Sequence, residues 1–334
     1  MLEEIIKNII KSSGSISVTK FMQLATQHPQ YGYYNNVQNI GKYGDFITAP
    51  EVSPIFGEII AIWIMLQWHK IGCPTKWALL ELGPGKGTLL KDIYRSISQD
   101  KKCLNSLSKI YLLESSISLK KIQKTNLAHI DNMEWIASLN INCDIPIIAI
   151  ANEFFDALPI SQFIKTTNGY EELMICYDKK QGFYYNHNDI QSNIIEKPVI
   201  AAKYMDRLLE LLNKTRGACL IIDYGYLEKQ IESCRSTLQA IINHKSCSIF
   251  ENIGLADLSA HVNFTYLQSH AEEHNFRATI QTQQAFLLEH GIMERSMAII
   301  KRNHQLESKL QQQLHKLLSP SQMGTLFKAL IVEK

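Results

Sequence analysis

A chain of 334 residues with 46% hydrophobic and 20% charged side chains has an ordinary folded composition, which excludes global disorder. It is long enough to hold two domains or one elaborated domain, with no disulfide or metal staple needed for a core. Lys and Arg number 34 against 32 Asp and Glu, a net charge of +2 too balanced to point to nucleic acid.

The N-terminal stretch MLEEIIKNIIKSSG puts Glu3 and Glu4 ahead of any basic residue and lacks a long apolar run, unlike a signal or transit peptide. Seven scattered cysteines without a C-x-x-C pair read as free thiols in a reducing compartment. Together these predict a bacterial-type cytoplasm, or a mitochondrial matrix if the chain is a trimmed eukaryotic one. Residues 2–27 read as helix, a break at Gly14, then helix. A turn-rich aromatic stretch follows, HPQYGYYNNVQNIGKYGDFITAP, whose glycines and prolines mark a long loop of the kind that usually serves function. Residues 53–70 read as a largely buried helix, and the apolar run 59–66 is far below the roughly 20 residues a bilayer span needs.

From residue 77 the rhythm changes to short apolar runs alternating with helical patterns. Strands are predicted at 77–82, 110–113, 133–136, 145–151 and 219–222, with helices at 88–97, 116–126 and 199–213 between them. A strand at 277–281, mostly helix over 286–318, and a last strand at 326–332 complete the set. Such alternation predicts an α/β fold with a mostly parallel sheet and helices on both faces. Two stretches do not fit the alternation. Residues 162–185 read as β-rich around an Asn168-Gly169 turn, and 227–264 read as irregular. They are expected to form a substrate-facing layer. The expected division is an N-terminal helical and loop segment over 1–76 and a main domain over 77–334, with insertions at about 160–190 and 227–265.

The segment Glu81-Leu82-Gly83-Pro84-Gly85-Lys86-Gly87-Thr88 lies between the first strand and its helix, where open α/β sheets bind ligands. A phosphate-binding P-loop would need Ser or Thr directly after Lys86. A dinucleotide fingerprint would need its third glycine one residue later. The G-x-G-x-G spacing resembles the first motif of class I S-adenosylmethionine (SAM) methyltransferases. Glu114, closing the second strand, can accept hydrogen bonds from both ribose hydroxyls of such a cofactor, as an acid does for NAD. A structural glycine turn and an NAD site are the alternatives at this point. At the end of the fourth strand, Asn152, Glu153 and Asp156 bring an amide and two carboxylates to the same mouth, with helix N-capping the bland alternative for Asn152 or Asp156.

Several segments together resemble the MidA-like methyltransferase family: Tyr31-Gly-Tyr-Tyr34, the 44–53 stretch Gly-Asp-Phe-Ile-Thr-Ala-Pro-Glu-Val-Ser, Phe56-Gly-Glu58, the 81–88 loop, 151–159, Asp223-Tyr-Gly225 and 260–264. The resemblance runs from about residue 28 to the C-terminus. It implies a class I (Rossmann-like) seven-stranded methyltransferase domain with SAM as cofactor. It also implies a protein side chain as substrate, arginine foremost, and extends to the complex I assembly factor of that family, hence to a respiratory-complex subunit as partner. Cofactor residues would be Glu81, Gly83, Gly85, Gly87, Thr88 and Glu114, and catalytic residues Glu153, Asp156 and Asn152. Asp45, Phe46, Thr48 and Glu51 would form a lid, for which a rigid turn is the alternative. Asp223 would line the substrate cleft or cap a turn, and His261 would assist proton removal or be structural. Asn263, Arg235-Ser236 and Gln284-Ala285 depart from the family pattern and bear on substrate identity. A weakly catalytic assembly chaperone that binds SAM or a partner is the rival from another class, with a NAD-dependent oxidoreductase behind it.

His270-Ala-Glu-Glu-His274 matches H-x-x-E-H, and on a helix its imidazoles would share a face. With 264–276 read as a polar surface helix and no third ligand evident, no metal site is assigned.

Overall fold

In the computed structural model the described residues are 1–35, 47–187, 194–228 and 236–334. A seven-strand path forms the centre: β1 (Trp77–Leu82), β2 (Leu107–Leu113), β3 (Met133–Ile136), β4 (Ile147–Asn152), β5 (Ala218–Tyr226), β6 (Arg277–Thr282) and β7 (Phe327–Glu333). Their spatial order is β6-β7-β5-β4-β1-β2-β3, and Val262–Asn263 adds a short parallel pairing to the far end of β5. Neighbours from β5 to β3 run parallel, while β7 is antiparallel to both β5 and β6. The chain order reverses on either side of β1 and β4, which opens a crevice at their carboxyl ends.

Both faces of the sheet's centre are covered, so β1, β4 and β5 are buried almost throughout, whereas the edge strands β3 and β6 are more polar and partly exposed. Alternation assigns each side chain to a face: Leu79, Ile148, Ile150, Leu220 and Ile222 enter one core, whereas Leu80, Ile147, Ala149, Cys219 and Ile221 enter the other. The first core receives α3 (Pro54–Lys70) and α4 (Thr88–Ile97). Ser53 caps α3 by accepting from the Ile55 N–H, and Pro54 opens it without wasting a donor. The helix is apolar on nearly every side and mostly buried, with Leu66 and the His69-Lys70 end exposed. The second core receives α6 (Val199–Thr215) and α7 (Phe264–Glu273). Between β2 and β3 lies α5 (Ile117–Asn126), N-capped by Ser116.

A third core lies beside the sheet. It is built by α1 (Leu2–Ser13) and α2 (Val18–Gln27) packed against inserted β-structure, with Ile6, Phe21, Met22, Leu173, Ile175 and Leu258 at its centre. The expected hairpin about Asn168-Gly169 joins Ser161–Thr166 to Gly169–Glu172. The stretch expected to be irregular instead holds a small antiparallel sheet of Gln239–Ile242, Lys245–Cys247 and Asp257–Ser259. Its strands are too short for alternation to register, and while the first two form a hairpin about Asn243-His244, the third pairs across a longer gap. The helix expected to be a polar surface element, α7, is amphipathic and buries Phe264, Leu267 and Ala271. No helix among the described residues is long and apolar enough to cross a membrane.

Candidate functional site

The crevice at the carboxyl ends of β1 and β4 holds a cavity of about 270 Å³. Its floor is the glycine loop. Gly83, Gly85 and Gly87 all have left-handed backbone, at φ of 66°, 52° and 80°. A Cβ on Gly83 would stand 2.8 Å from the Phe154 ring and one on Gly87 2.9 Å from Leu127, whereas the space beside Gly85 is open. Two glycines thus permit packing from below and one leaves room above, an arrangement suited to a ligand lying directly on backbone. Gly83→Ala should therefore lower SAM affinity at least about tenfold, because it adds left-handed strain and displaces Phe154; calorimetric titration with SAM measures this, and unchanged affinity would place the cofactor elsewhere.

Gln123 of α5 holds this floor together. Its Nε2 donates to the Gly85 carbonyl at 2.7 Å and to Glu114 Oε2 at 3.0 Å, while its Oε1 accepts from Trp135 Nε1 at 2.8 Å. Nothing in the local pattern around Gln123 distinguishes it, and only a fully buried amide at this junction marks its role. Glu114 also accepts from the Ser116 N–H at 2.8 Å, and burial raises its pKa despite these donors. Glu81 lines the cavity with one covered oxygen that has no hydrogen-bond partner, and burial with Glu114 nearby lifts its pKa to about 8. A buried carboxyl in this state suits a cationic ligand. The amino group and sulfonium of SAM supply that charge, and Glu114 offers acceptors to ribose hydroxyls, so the residues present fit the cofactor. Thr88 also lines the cavity.

At the end of β4, Asn152, Glu153 and Asp156 meet the cavity as expected from their spacing. Glu153 has left-handed backbone at φ 51°, held by its N–H donating to the Ile222 carbonyl at 2.9 Å. Its Oε1 accepts from the Ala49 N–H at 3.0 Å and from Asn152 Nδ2 at 3.2 Å. Burial lifts Glu153 to about 8. Asp156 accepts from the Tyr224 hydroxyl at 2.7 Å, yet burial brings it to about 6. One covered oxygen each of Asn152 and Asp156 has no partner. Polar groups left so are costly unless a ligand meets them.

The far wall comes from the N-terminal segment and the inserted sheet. Thr48 and Glu51 line the cavity, and Glu51 lies 3.9 Å from Lys86 of the glycine loop. Tyr34, also on the wall, donates to Asp257 at 3.0 Å. Asp45 and Phe46 lie outside the described residues.

Two expected site residues are not brought to the cavity wall. Asp223 is fully buried beneath it, with Oδ2 accepting from the N–H groups of Phe155 at 2.9 Å and Asp156 at 3.2 Å, and Oδ1 from that of Tyr224 at 2.9 Å. Through these contacts it braces the 153–156 turn. His261 packs edge-on to Tyr224 at 5.4 Å, beside a separate small depression, and burial lowers its pKa. Tyr224 itself, which no local feature of the sequence marks as a site residue, lies on the wall and links Asp156 to Ser259. The His270–His274 pair also requires correction. A third potential ligand does lie beside it, Asp206 of α6, because α6 and α7 pack side by side across a long sequence gap.

Comparisons with known proteins show the family and the fold. The family described as "Putative S-adenosyl-L-methionine-dependent methyltransferase" matches residues 59–282. The zebrafish (Danio rerio) mitochondrial protein arginine methyltransferase NDUFAF7 is 32% identical, with 98% of this chain and 85% of the relative covered. Its human counterpart is 29% identical, covering 95% and 80%. A Burkholderia thailandensis protein crystallised with S-adenosyl-homocysteine superposes with a TM-score of 0.86 at 21% identity, covering 100% of this chain and 92% of that one. That likeness supports the fold, the class I methyltransferase architecture. The chain belongs to this family of S-adenosyl-L-methionine-dependent methyltransferases.

Proposed function

We propose that the enzyme methylates an arginine side chain of a protein, with Glu153 and Asp156 as the groups that hold and deprotonate the guanidinium. The observation that carries this reading is the pair of buried carboxyls opening on the cavity beside the glycine floor, both lifted above the usual carboxylate range by burial. The relatives named as protein arginine methyltransferases support it.

Bound SAM supplies an electrophilic methyl group. The cofactor residues are proposed to be Glu81, Gly83, Gly85, Gly87, Thr88 and Glu114. A guanidinium entering over Glu153 brings a delocalised cation, which favours ionisation of that carboxyl. The paired carboxylates can accept hydrogen bonds from its planar fork and orient one nitrogen. Arginine stays protonated beforehand, since its pKa exceeds about 12. The nitrogen therefore sheds a proton as its new bond forms, and the Glu153 carboxylate, ionised beside the bound guanidinium, is placed to take it. Asn152 steadies Glu153 through its amide. Thr48 and Glu51 are proposed to close over the substrate, tied to Glu153 through the Ala49 N–H. Holding the reactants in line and dry is worth up to about 7–11 kcal/mol.

Cofactor binding should release a proton. Glu81 rises from 4.5 to about 8 on folding, so the empty protein loses stability as pH climbs through that window. A bound cation lowers the pKa again, so SAM affinity should increase from pH 6 to pH 8. Titration calorimetry in buffers of differing ionisation enthalpy reads the proton directly; pH-independent binding without proton release would contradict the role given to Glu81.

Isotope-labelled SAM added to a native lysate, with mass spectrometry of the labelled peptides, tests the substrate. Label on arginine nitrogens is expected, and label on lysine, carboxyl or nucleic acid would overturn the reading. A respiratory-complex subunit is the proposed protein target, following the sequence resemblance. The relatives are named as mitochondrial proteins, which favours the matrix over the cytoplasmic reading; cell fractionation separates the two.

A further inference from the structure

We propose that Asp206, His270 and His274 form a zinc-binding site that clamps α6 to α7. His270 lies in the last turn of α7 and His274 is its C-cap residue, four positions on, with Asp206 on the neighbouring α6. One ligand atom from each lies within 4.8 Å of the others. Tetrahedral zinc with bonds near 2.0–2.1 Å needs ligand atoms about 3.4 Å apart, so small side-chain rotations suffice. The Asp206 Oδ1 to His270 Nε2 contact of 2.7 Å would widen by less than about 1 Å.

The second histidine is already set for this task. His274 Nδ1 lies 2.8 Å from the His270 carbonyl, an acceptor only, so that nitrogen carries the proton and Nε2 keeps its lone pair for a metal. The His270 ring is held by Tyr266, stacked at 5.8 Å and 17°. Two imidazoles and a carboxylate suit zinc among the common divalent ions, and the exposure of His274 leaves room for water to complete the shell. The site lies apart from the cofactor cavity but is mechanically joined to it. Tyr204, two residues before Asp206, lines the cavity and packs edge-on to Phe154 at 5.2 Å, the ring that supports Gly83. A metal here would hold the wall from behind.

A simple ion pair between His270 and Asp206 is the competing explanation, and His274 separates the two because that pair does not need it. The experiment titrates untagged, metal-free full-length protein with zinc chloride against a chromophoric competitor, with thermal unfolding in parallel. One zinc per chain is expected, with affinity falling at least tenfold in His274→Ala and in His270→Ala, and a zinc-dependent rise in Tm that His274→Ala abolishes. His274 is exposed, so that variant should fold, and its circular dichroism verifies this. Wild-type zinc affinity in folded His274→Ala would overturn the proposal by placing any bound zinc elsewhere, for instance at Cys73 and His69. No zinc binding by the wild type would overturn it equally.

Discussion

Glu153→Gln should bind SAM as the wild type does and lose about 10²–10⁴-fold in kcat. The substitution keeps the side-chain length and an oxygen that can accept from the Ala49 N–H, so the contact with the 48–52 segment survives. It keeps the left-handed backbone, since glutamine adds no strain that glutamate lacked. Folding should hold or improve, because an amide does not carry the desolvation that lifts Glu153 to about 8. What disappears is the ability to take a proton and to face a guanidinium with negative charge. Calorimetry with SAM and single-turnover methyl transfer separate the two stages. Unchanged turnover would remove Glu153 from the chemistry. Unchanged kcat with a raised KM would reduce it to a substrate-binding group.

Asp223→Ala should cost stability and activity together. Its carboxylate satisfies three backbone N–H groups, those of Phe155, Asp156 and Tyr224, and each left unmet in the interior costs about 1–3 kcal/mol. Part of that loss is offset. Asp223 is held well above the ordinary carboxylate range by burial and by Asp156 and Glu153 nearby, and its removal relieves that crowding. A net loss of about 2–4 kcal/mol is expected, visible as a lower Tm in thermal unfolding. The 153–156 turn would lose its brace, so kcat should fall as Glu153 and Asp156 leave their positions. Asp223→Asn keeps one acceptor and should recover part of both losses. If Asp223 instead met substrate, Asp223→Asn would raise KM and leave Tm nearly unchanged.

The centre of the sheet was legible because β1, β4 and the first half of β5 are buried on both faces and appear as apolar runs between helical periods. β1, β3 and β7 fall within a residue of expectation, while β5 runs from Ala218 to Tyr226, well past its apolar stretch. Its extension carries Asp223 and Tyr224, polar-bearing positions whose strand state depends on pairing with β7. The glycine loop was legible for a local reason: three glycines within five residues need left-handed backbone, and sequence alone signals that. Gln123, the Tyr224–Asp156 contact and the placement of Asp206 beside His270 were not legible. Each joins elements distant in the chain, and nothing local distinguishes a buried glutamine from an exposed one. Asp223 shows the converse. The sequence suggests a strand-end acid facing the cleft, but β5 continues through Asp223 to Tyr226 and the carboxyl lies under the 153–156 turn, a placement that depends on where the loop after β4 runs.

The most direct measurement is a crystal structure of the enzyme with S-adenosyl-homocysteine and an arginine-containing substrate peptide. S-adenosyl-homocysteine should lie over Gly83 and Gly85 with its ribose at Glu114, and the guanidinium should lie within hydrogen-bonding distance of Glu153 and Asp156. A guanidinium bound away from those carboxylates, or a product lying outside the cavity floored by residues 81–88, would contradict it.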